Sequence, residues 1–219
     1  MNRASVVFET LENRALMSAT LFSHAVAVDR FQIRLDFLQL KTDLNADAKT
    51  LLTDNAALKA NHLYQNTTLQ PLVAKLHSDV RSFQLTLLGD RLGEASNVIK
   101  DEQLIVGELK QMITDKGNAT ALAADRTKLL ADRVQCQTDM VAGLTQRLSD
   151  RQAETNALLG DTSAILTALP TSGASAGLSA AVTQWLGDKG ASLDRVTADL
   201  QKISADRTQL ITDLNAEVA

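Results

Sequence analysis

The 219-residue chain has few of the residues that build β-sheets and few of those that interrupt helices. Only 3% of its residues are aromatic, and it has two prolines, ten glycines and one cysteine. Sparse strand-forming residues argue against a sheet, and sparse proline and glycine leave long stretches in which a helix can continue. A single cysteine excludes a disulfide within the chain and leaves the redox compartment open.

An excess of basic charge and a long apolar run are also missing. The formal net charge is −4, and Lys and Arg are interleaved with Asp. Because nucleic-acid binding needs a clustered basic surface, we expect no nucleic-acid partner. No stretch approaches the roughly 18 consecutive apolar residues of a membrane-spanning helix, so we expect no transmembrane span.

The residues that are abundant are helix formers such as Leu, Ala, Gln, Lys and Arg. They predict an all-α fold: an elongated, antiparallel helical bundle, coiled-coil-like, with about four long helices. The first helix is expected over about 26–61, and loops are expected near 61–70, 115–119 and 170–177. Helices of roughly 40 to 50 residues would be about 60–75 Å long, and short connections favour antiparallel neighbours.

The ends of these helices can be assigned from capping residues and glycines. We expect Thr68 to cap the second helix and Asn118 to cap the third. In the fourth helix, Gly187 and Gly190 predict a break or bend.

Aspartates recur every seven residues in three places, which indicates a coiled-coil-like repeat. If the aspartates of the last helix occupy heptad position g, its a and d positions form an apolar seam, interrupted at a by Arg207. The predicted seam residues are Leu193, Val196, Leu200, Ile203, Leu210 and Leu214.

The same frame fits the first helix only in part. It places Phe37 and Leu44 at a and Ile33 and Leu40 at d, and it then brings Asp47 and Asp54 into the seam. The apolar residues of the third helix lie off the aspartate frame altogether. Such shifts indicate stutters, or a bundle packed on more than one face.

Seven Asp-Arg dipeptides were considered as a cation-binding ladder and as a solvated rim. Residues seven apart on a helix are about 10 Å apart along its axis. This is too far to share a hard cation, which needs six to eight converging oxygens. The sequence therefore favours a solvated rim, in which the arginines extend their charge outward.

The remaining candidate residues favour structural roles. His24, His62 and His77 lack metal-ligand spacing, and Trp185 follows an apolar pattern typical of a packing anchor. Cys136 is expected to be a small buried or half-buried residue, although the nearby Arg133 could lower its pKa. No nucleotide, hydrolase or zinc motif is present. We therefore predict no catalytic, cofactor-binding or metal-binding residues and no enzyme activity.

The N-terminal segment, residues 1–27, differs from the rest of the chain. Residues 15–28 carry no formal charge, follow Arg3 and Arg14, and end near an A-x-A arrangement at 25–27. These features are typical of a secretory signal with a small-residue cleavage site. The pattern predicts processing after Ala27 and a helical bundle over 28–219.

The stretch "LENRALMSA" resembles the N-terminal LEPRxLL-type motif of many planctomycete proteins that are predicted to be exported or surface-associated. The motif's frequent proline is replaced here by Asn13. The matching residues are Leu11, Glu12, Arg14, Leu16, Met17, Ser18 and Ala19. The resemblance covers about a tenth of the chain and implies a sorting or export role for this segment alone.

Together these features predict a non-enzymatic, exported helical protein that acts as a spacer, scaffold or interaction module at the cell envelope. The expected partner is another protein or a second copy of the chain. The alternative is an amphipathic-helix protein that binds a lipid or other surface. An acidic, aromatic-poor chain makes this less favoured, because lipid-binding helices usually carry a basic face opposite Trp or Phe.

Overall fold

A computed structural model describes residues 24–218, which form four long α-helices packed against each other with no strand among them. The fold is an all-α helical bundle, as predicted. The helices are α1 (His24–Ala60), α2 (Gln70–Thr114), α3 (Ala119–Ala168) and α4 (Ala176–Val218). Short 3₁₀-helices at Leu63–Gln65 and Leu169–Thr171 lie in two of the connections. Within this part of the chain, no helix is sufficiently long and apolar to cross a membrane.

Polar side chains define where the helices begin. The Asn118 carboxamide oxygen accepts a hydrogen bond from the Ala121 N–H at 3.1 Å, which confirms the predicted cap of α3. At α2 the prediction of Thr68 was wrong. Asn66 has this role, because its Oδ1 accepts hydrogen bonds from the N–H groups of Thr68 and Leu69 at 3.1 and 3.0 Å.

The predicted break in α4 is absent: the helix continues through Gly187 and Gly190. A Cβ at either glycine would meet nothing within 4 Å, so neither residue serves a close approach within the described chain. A helical glycine costs about 1 kcal/mol relative to alanine. Burial of the neighbouring Trp185, Leu186 and Leu193 outweighs that cost, because tertiary packing supplies most of the stability of a helix in a protein.

The chain divides into two compact units. The first unit comprises residues 24–35, 96–141 and 204–218 of the described chain, and the second unit comprises residues 36–95 and 142–203. All four helices contribute to each unit.

The second unit has a core to which every helix contributes. Around Trp185, it collects buried aliphatic residues of α1 to α4, including Leu58, Leu76, Ile165 and Val182. Trp185 also meets His77 edge to face, with 6.1 Å between the ring centroids. Trp185 is therefore a packing anchor, as predicted.

The first unit has a smaller apolar core between α2 and α3. It contains Val98, Ile105, Leu129, Cys136 and Met140. From the other two helices of this unit, Val26, Ile33, Leu210 and Leu214 are also buried.

The predicted seam of α4 is confirmed, since all six of its apolar residues are buried and so is Arg207. The prediction for α1 was only partly right. Ile33 is buried and Phe37 and Leu40 are partly buried, but Leu44 is 37% exposed. Asp47 and Asp54 are buried, so these acidic residues lie inside the packed face of the helix.

Replacing Ile203 with Asp should destabilise the second unit by roughly 4 kcal/mol or more, because it buries a carboxylate in an apolar site. Ile203 is fully buried against Leu144 and Val196. The free energy of unfolding in urea measures the effect. Leu159→Asp is the control, since Leu159 is 62% exposed and its change should stay within about 0.5 kcal/mol. Equal losses in the two variants would contradict the seam.

Candidate functional site

Pairs of aspartates join antiparallel helices along the bundle. In each pair the two side-chain carboxyl groups lie next to each other, and one of them has a buried Oδ2 that no N–H or O–H group donates to. We call such a pair a carboxyl rung. The described residues form six: Asp29–Asp213, Asp43–Asp199, Asp54–Asp188, Asp90–Asp150, Asp101–Asp139 and Asp115–Asp125. Three rungs join α1 to α4 and three join α2 to α3.

The rungs follow one helical register within each unit. In the second unit, the step from Asp43 to Asp54 along α1 is 11 residues, and the step from Asp199 back to Asp188 along α4 is the same. Eleven residues are close to three helical turns. In the first unit, the α2–α3 rungs at Asp101 and Asp115 are 14 residues apart, close to four turns, and their partners keep the same spacing.

Each rung is asymmetric, because one of its two aspartates also accepts a hydrogen bond from a glutamine four residues earlier. In the rung of Asp54 and Asp188, the Gln184 Nε2 donates to Asp188 at 2.6 Å. The other glutamine bonds are Gln39–Asp43, Gln111–Asp115, Gln135–Asp139, Gln146–Asp150 and Gln209–Asp213. The glutamine N–H therefore marks one carboxyl of each rung as the acceptor.

The other aspartate of each rung holds its proton more tightly than an ordinary aspartate. Burial, and then the neighbouring Asp213, raises the pKa of Asp29 from 3.8 to about 6. The same causes raise the pKa of its five counterparts: Asp54, Asp90, Asp101, Asp125 and Asp199. A protonated carboxyl can donate to the glutamine-bound carboxylate, so one proton satisfies both groups.

Other buried aspartates are paired with cations. Lys202 Nζ lies 2.5 Å from Asp36 Oδ1, and Arg195 contacts Asp47. Lys75 lies between Asp79 and Asp161, at 2.8 and 2.5 Å. A hydrogen bond from Lys75 lowers the pKa of Asp79, the opposite of the effect in the carboxyl rungs.

The expectation that the Asp-Arg dipeptides form a solvated rim was wrong for several of them. Asp125 is only 4% exposed, and Arg133 and Arg207 are also buried. Asp194 and Arg195 are exposed, and these fit the prediction. Because adjacent residues point to different sides of a helix, an Asp-Arg dipeptide can place its acid in a rung while its arginine lies elsewhere.

The first unit also contains a buried polar cluster contributed by α1, α2 and α3. Burial lowers the pKa of Arg30 and lowers that of Arg133 to about 10, and both arginines act on Glu102. Burial raises the pKa of the Cys136 thiol to about 12. Cys136 is buried, as predicted. A lowering of the thiol pKa by a nearby arginine is not seen, because burial outweighs the effect of Arg207, the cation that favours the thiolate.

The histidines are all exposed, at positions 24, 62 and 77. Residues 24–218 contain no group of three or more His, Cys, Asp or Glu side chains that could hold a metal ion. The small-residue stretch at 173–177 leads into α4, where the Ser175 hydroxyl oxygen accepts a hydrogen bond from the Leu178 N–H at 3.1 Å. That stretch is a connection and a helix cap.

One further acidic residue, Glu94 of α2, lies close to the backbone of α3 at Gly143 in the second unit. Its carboxylate pairs with Arg147 of α3 at 2.9 Å. A Cβ at Gly143 would lie 2.9 Å from Glu94 Cγ and 3.2 Å from its Cβ. Gly143 is therefore required for this approach, whereas Gly160 on the same helix has open space around it.

Gly143→Ala should destabilise the protein by roughly 1 kcal/mol, because overpacking against Glu94 exceeds the gain in helix propensity. Gly160→Ala is the matched control. It should stabilise by about 0.5–1 kcal/mol, since the same propensity gain meets no neighbour. Urea unfolding of both variants measures the difference. Stabilisation by both substitutions would contradict the close contact at Gly143.

The Asp-Arg dipeptides of the sequence do not reveal the rungs, and the sequence signal that accompanies them is Gln-x-x-x-Asp. A glutamine four residues before an aspartate lies on the same helix face, and every described rung contains this pattern. The pattern is present at all six acceptor aspartates, but it also occurs at Gln32 and Asp36, and Asp36 pairs with Lys202 instead. The donor aspartate lies on another helix and needs the fold to be found.

Comparison with known proteins gives no relative. No protein-family model matches this sequence, and neither a curated protein nor a solved structure matches it significantly.

Proposed function

We propose that this chain is a non-enzymatic, exported structural or interaction protein whose helices present apolar faces to another protein. The observation that carries this proposal is an exposed apolar row on α2. In the second unit, Leu85, Leu88 and Leu92 are 64%, 52% and 65% exposed. Their spacing of three and four residues places them on one side of the helix, and such a stripe is the surface that docks a helix into a groove.

In the first unit, α2 also has exposed apolar residues. Ile99, Val106 and Ile113 follow each other at intervals of seven residues and are all exposed. A seven-residue apolar repeat is the pattern by which helices associate in coiled coils. This supports a helical partner more than an irregular one.

Two glycines lie beside the exposed leucines of α2. A Cβ at Gly89 or Gly93 would meet nothing within 4 Å, so packing inside the described chain does not require either glycine. Small residues next to large apolar ones allow a second helix to approach closely. The glycines therefore support docking on this side of α2.

The proposal of export rests on the N-terminal motif, and most of that segment, residues 1–23, lies outside the described residues. Residues 24–27 form the first turn of α1, and Val26 is fully buried. Cleavage after Ala27 would remove this buried side chain. The proposed processing would therefore have to occur before α1 packs.

A lipid surface is the second candidate partner. Val28, Phe31 and Leu35 form an exposed apolar face on α1 in the first unit, and such a face can lie in a membrane interface. The net charge of −4 gives no attraction to anionic lipid. A protein partner is therefore the favoured proposal.

Docking on α2 can be tested by replacing Leu88 with the photo-cross-linking residue benzoylphenylalanine in the native host. We expect a cross-linked protein band, either a second copy or another protein. The matched control carries the same residue at Ser163, which is exposed on α3, and should give no band. Bands of equal strength at the two positions, or none at Leu88, would contradict docking on α2. Lipid binding would instead give co-sedimentation with phosphatidylcholine vesicles.

Processing can be tested by mass spectrometry of the protein purified from its native host. We expect the mature chain to begin at Val28, since the charge-free segment ends at the A-x-A arrangement before it. A protein that retains Met1, or begins at Asn2, would show that the N-terminal segment is not removed.

A further inference from the structure

Each carboxyl rung needs one proton to form its hydrogen bond. Two ionised carboxylates are acceptors only and repel each other. With one proton, the buried aspartate donates to its partner, and the glutamine four residues before that partner supplies a second donor. The geometry of the rung therefore matches the singly protonated pair and opposes the fully ionised one.

We propose that the carboxyl rungs are proton-binding sites that hold antiparallel helices together, so that proton uptake at mildly acidic pH stabilises the bundle and proton release loosens it. Three structural observations carry this proposal. The rungs recur in a common register within each unit, one aspartate of each rung buries an Oδ2 that no N–H or O–H group donates to, and the other aspartate is a glutamine-bound acceptor. The proposal is independent of docking on α2 and of export.

The charged neighbours differ from rung to rung and set the strength of proton binding. Among the described residues, the charged group that acts on Asp29 is its partner Asp213, and the one that acts on Asp54 is its partner Asp188. The other four rungs have further neighbours: Arg147 at Asp90; Asp132 and Lys100 at Asp101; Lys128 and Glu108 at Asp125; Lys202 and Asp36 at Asp199. The nearby cations favour ionisation, but burial and the partner acid outweigh them, since all four pKa values are raised.

The direction of the pH effect follows from the raised pKa values. Asp29 has a pKa of about 6 in the folded chain against an ordinary value of 3.8. A carboxyl whose pKa is raised by folding contributes stability that is fully present below about 3.8 and is lost as the pH rises through about 6. The Lys75-bound Asp79, with its lowered pKa, acts in the opposite direction, but its lysine is largely exposed and such pairs contribute little.

The pH dependence of unfolding in the full-length chain tests the proposal. The folding equilibrium constant should fall as the pH rises from 4 to 7. The rung of Asp29 should contribute a fall of about tenfold, after allowing for solvent screening of this half-buried group, and the other five rungs should act in the same direction. Urea unfolding across this range measures it, and ¹³C NMR of the aspartate carboxyls gives the pKa of each donor. Stability that is constant or rises from pH 4 to pH 7 would overturn the proposal.

Asparagine variants separate the rungs from other acidic groups. In Asp54→Asn of the second unit and Asp101→Asn of the first, the side-chain NH₂ group can donate a hydrogen bond to the partner carboxylate without proton uptake from solvent. Each variant should therefore be more stable than the wild-type chain at pH 7. Its stability should also vary less between pH 4 and pH 7, because one rung no longer binds a proton. Asp194→Asn is the control, because Asp194 is exposed and its removal should leave the profile unchanged. An equal effect in all three variants would overturn the assignment to the rungs.

A calcium titration at pH 7 distinguishes proton binding from cation binding. Calcium should leave the unfolding midpoint of the wild-type chain unchanged, because no group of three ligands surrounds a rung in the described chain. Stabilisation by calcium that is lost in Asp54→Asn would reassign the rungs to cation binding and overturn the proposal. If either asparagine variant fails to fold, the pH profile and carboxyl pKa values of the wild-type chain still decide the question.

Discussion

The pairing of two aspartate carboxyls across neighbouring helices is the constraint on which the alignment of these helices depends. Carboxylates are almost never buried without a partner, because removal from water costs several kcal/mol. In six places among residues 24–218, the usual partner, a cation, is replaced by a second acid and one proton. The second acid places two acidic side chains in the interface between two helices. The stability of that interface then depends on pH.

The rungs also limit how the helices can pair. A leucine seam tolerates small shifts, because one apolar side chain can replace another at similar volume. A carboxyl rung does not, since a shift of one residue would leave a buried oxygen without its hydrogen bond. The equal 11-residue steps of Asp43–Asp54 and Asp199–Asp188 provide such a constraint between α1 and α4 in the second unit. The apolar core supplies most of the burial, and the rungs favour one antiparallel alignment.

The charged features of the bundle fall into groups with different physical roles. The carboxyl rungs bind protons, whereas Asp36 and Asp47 are buried acids that form ion pairs with Lys202 and Arg195. The cluster around Glu102 buries arginines whose pKa values fall through desolvation. The leucines Leu85, Leu88 and Leu92 of α2 are a separate, exposed apolar group. This combination of buried charge and exposed apolar surface supports a role in association with another protein.

Composition and periodicity determined the fold class, the four helices, the loop positions and the seam of α4, because these depend on local propensity and on a repeat of 3.5 to 3.6 residues. Short-range capping was predicted at Asn118, but competition between Asn66 and Thr68 was decided by backbone geometry. The burial of Asp54, the exposure of Leu44 and the approach at Gly143 needed the tertiary structure. Each depends on which residue of another helix lies opposite, and a single helix contains no information about that neighbour.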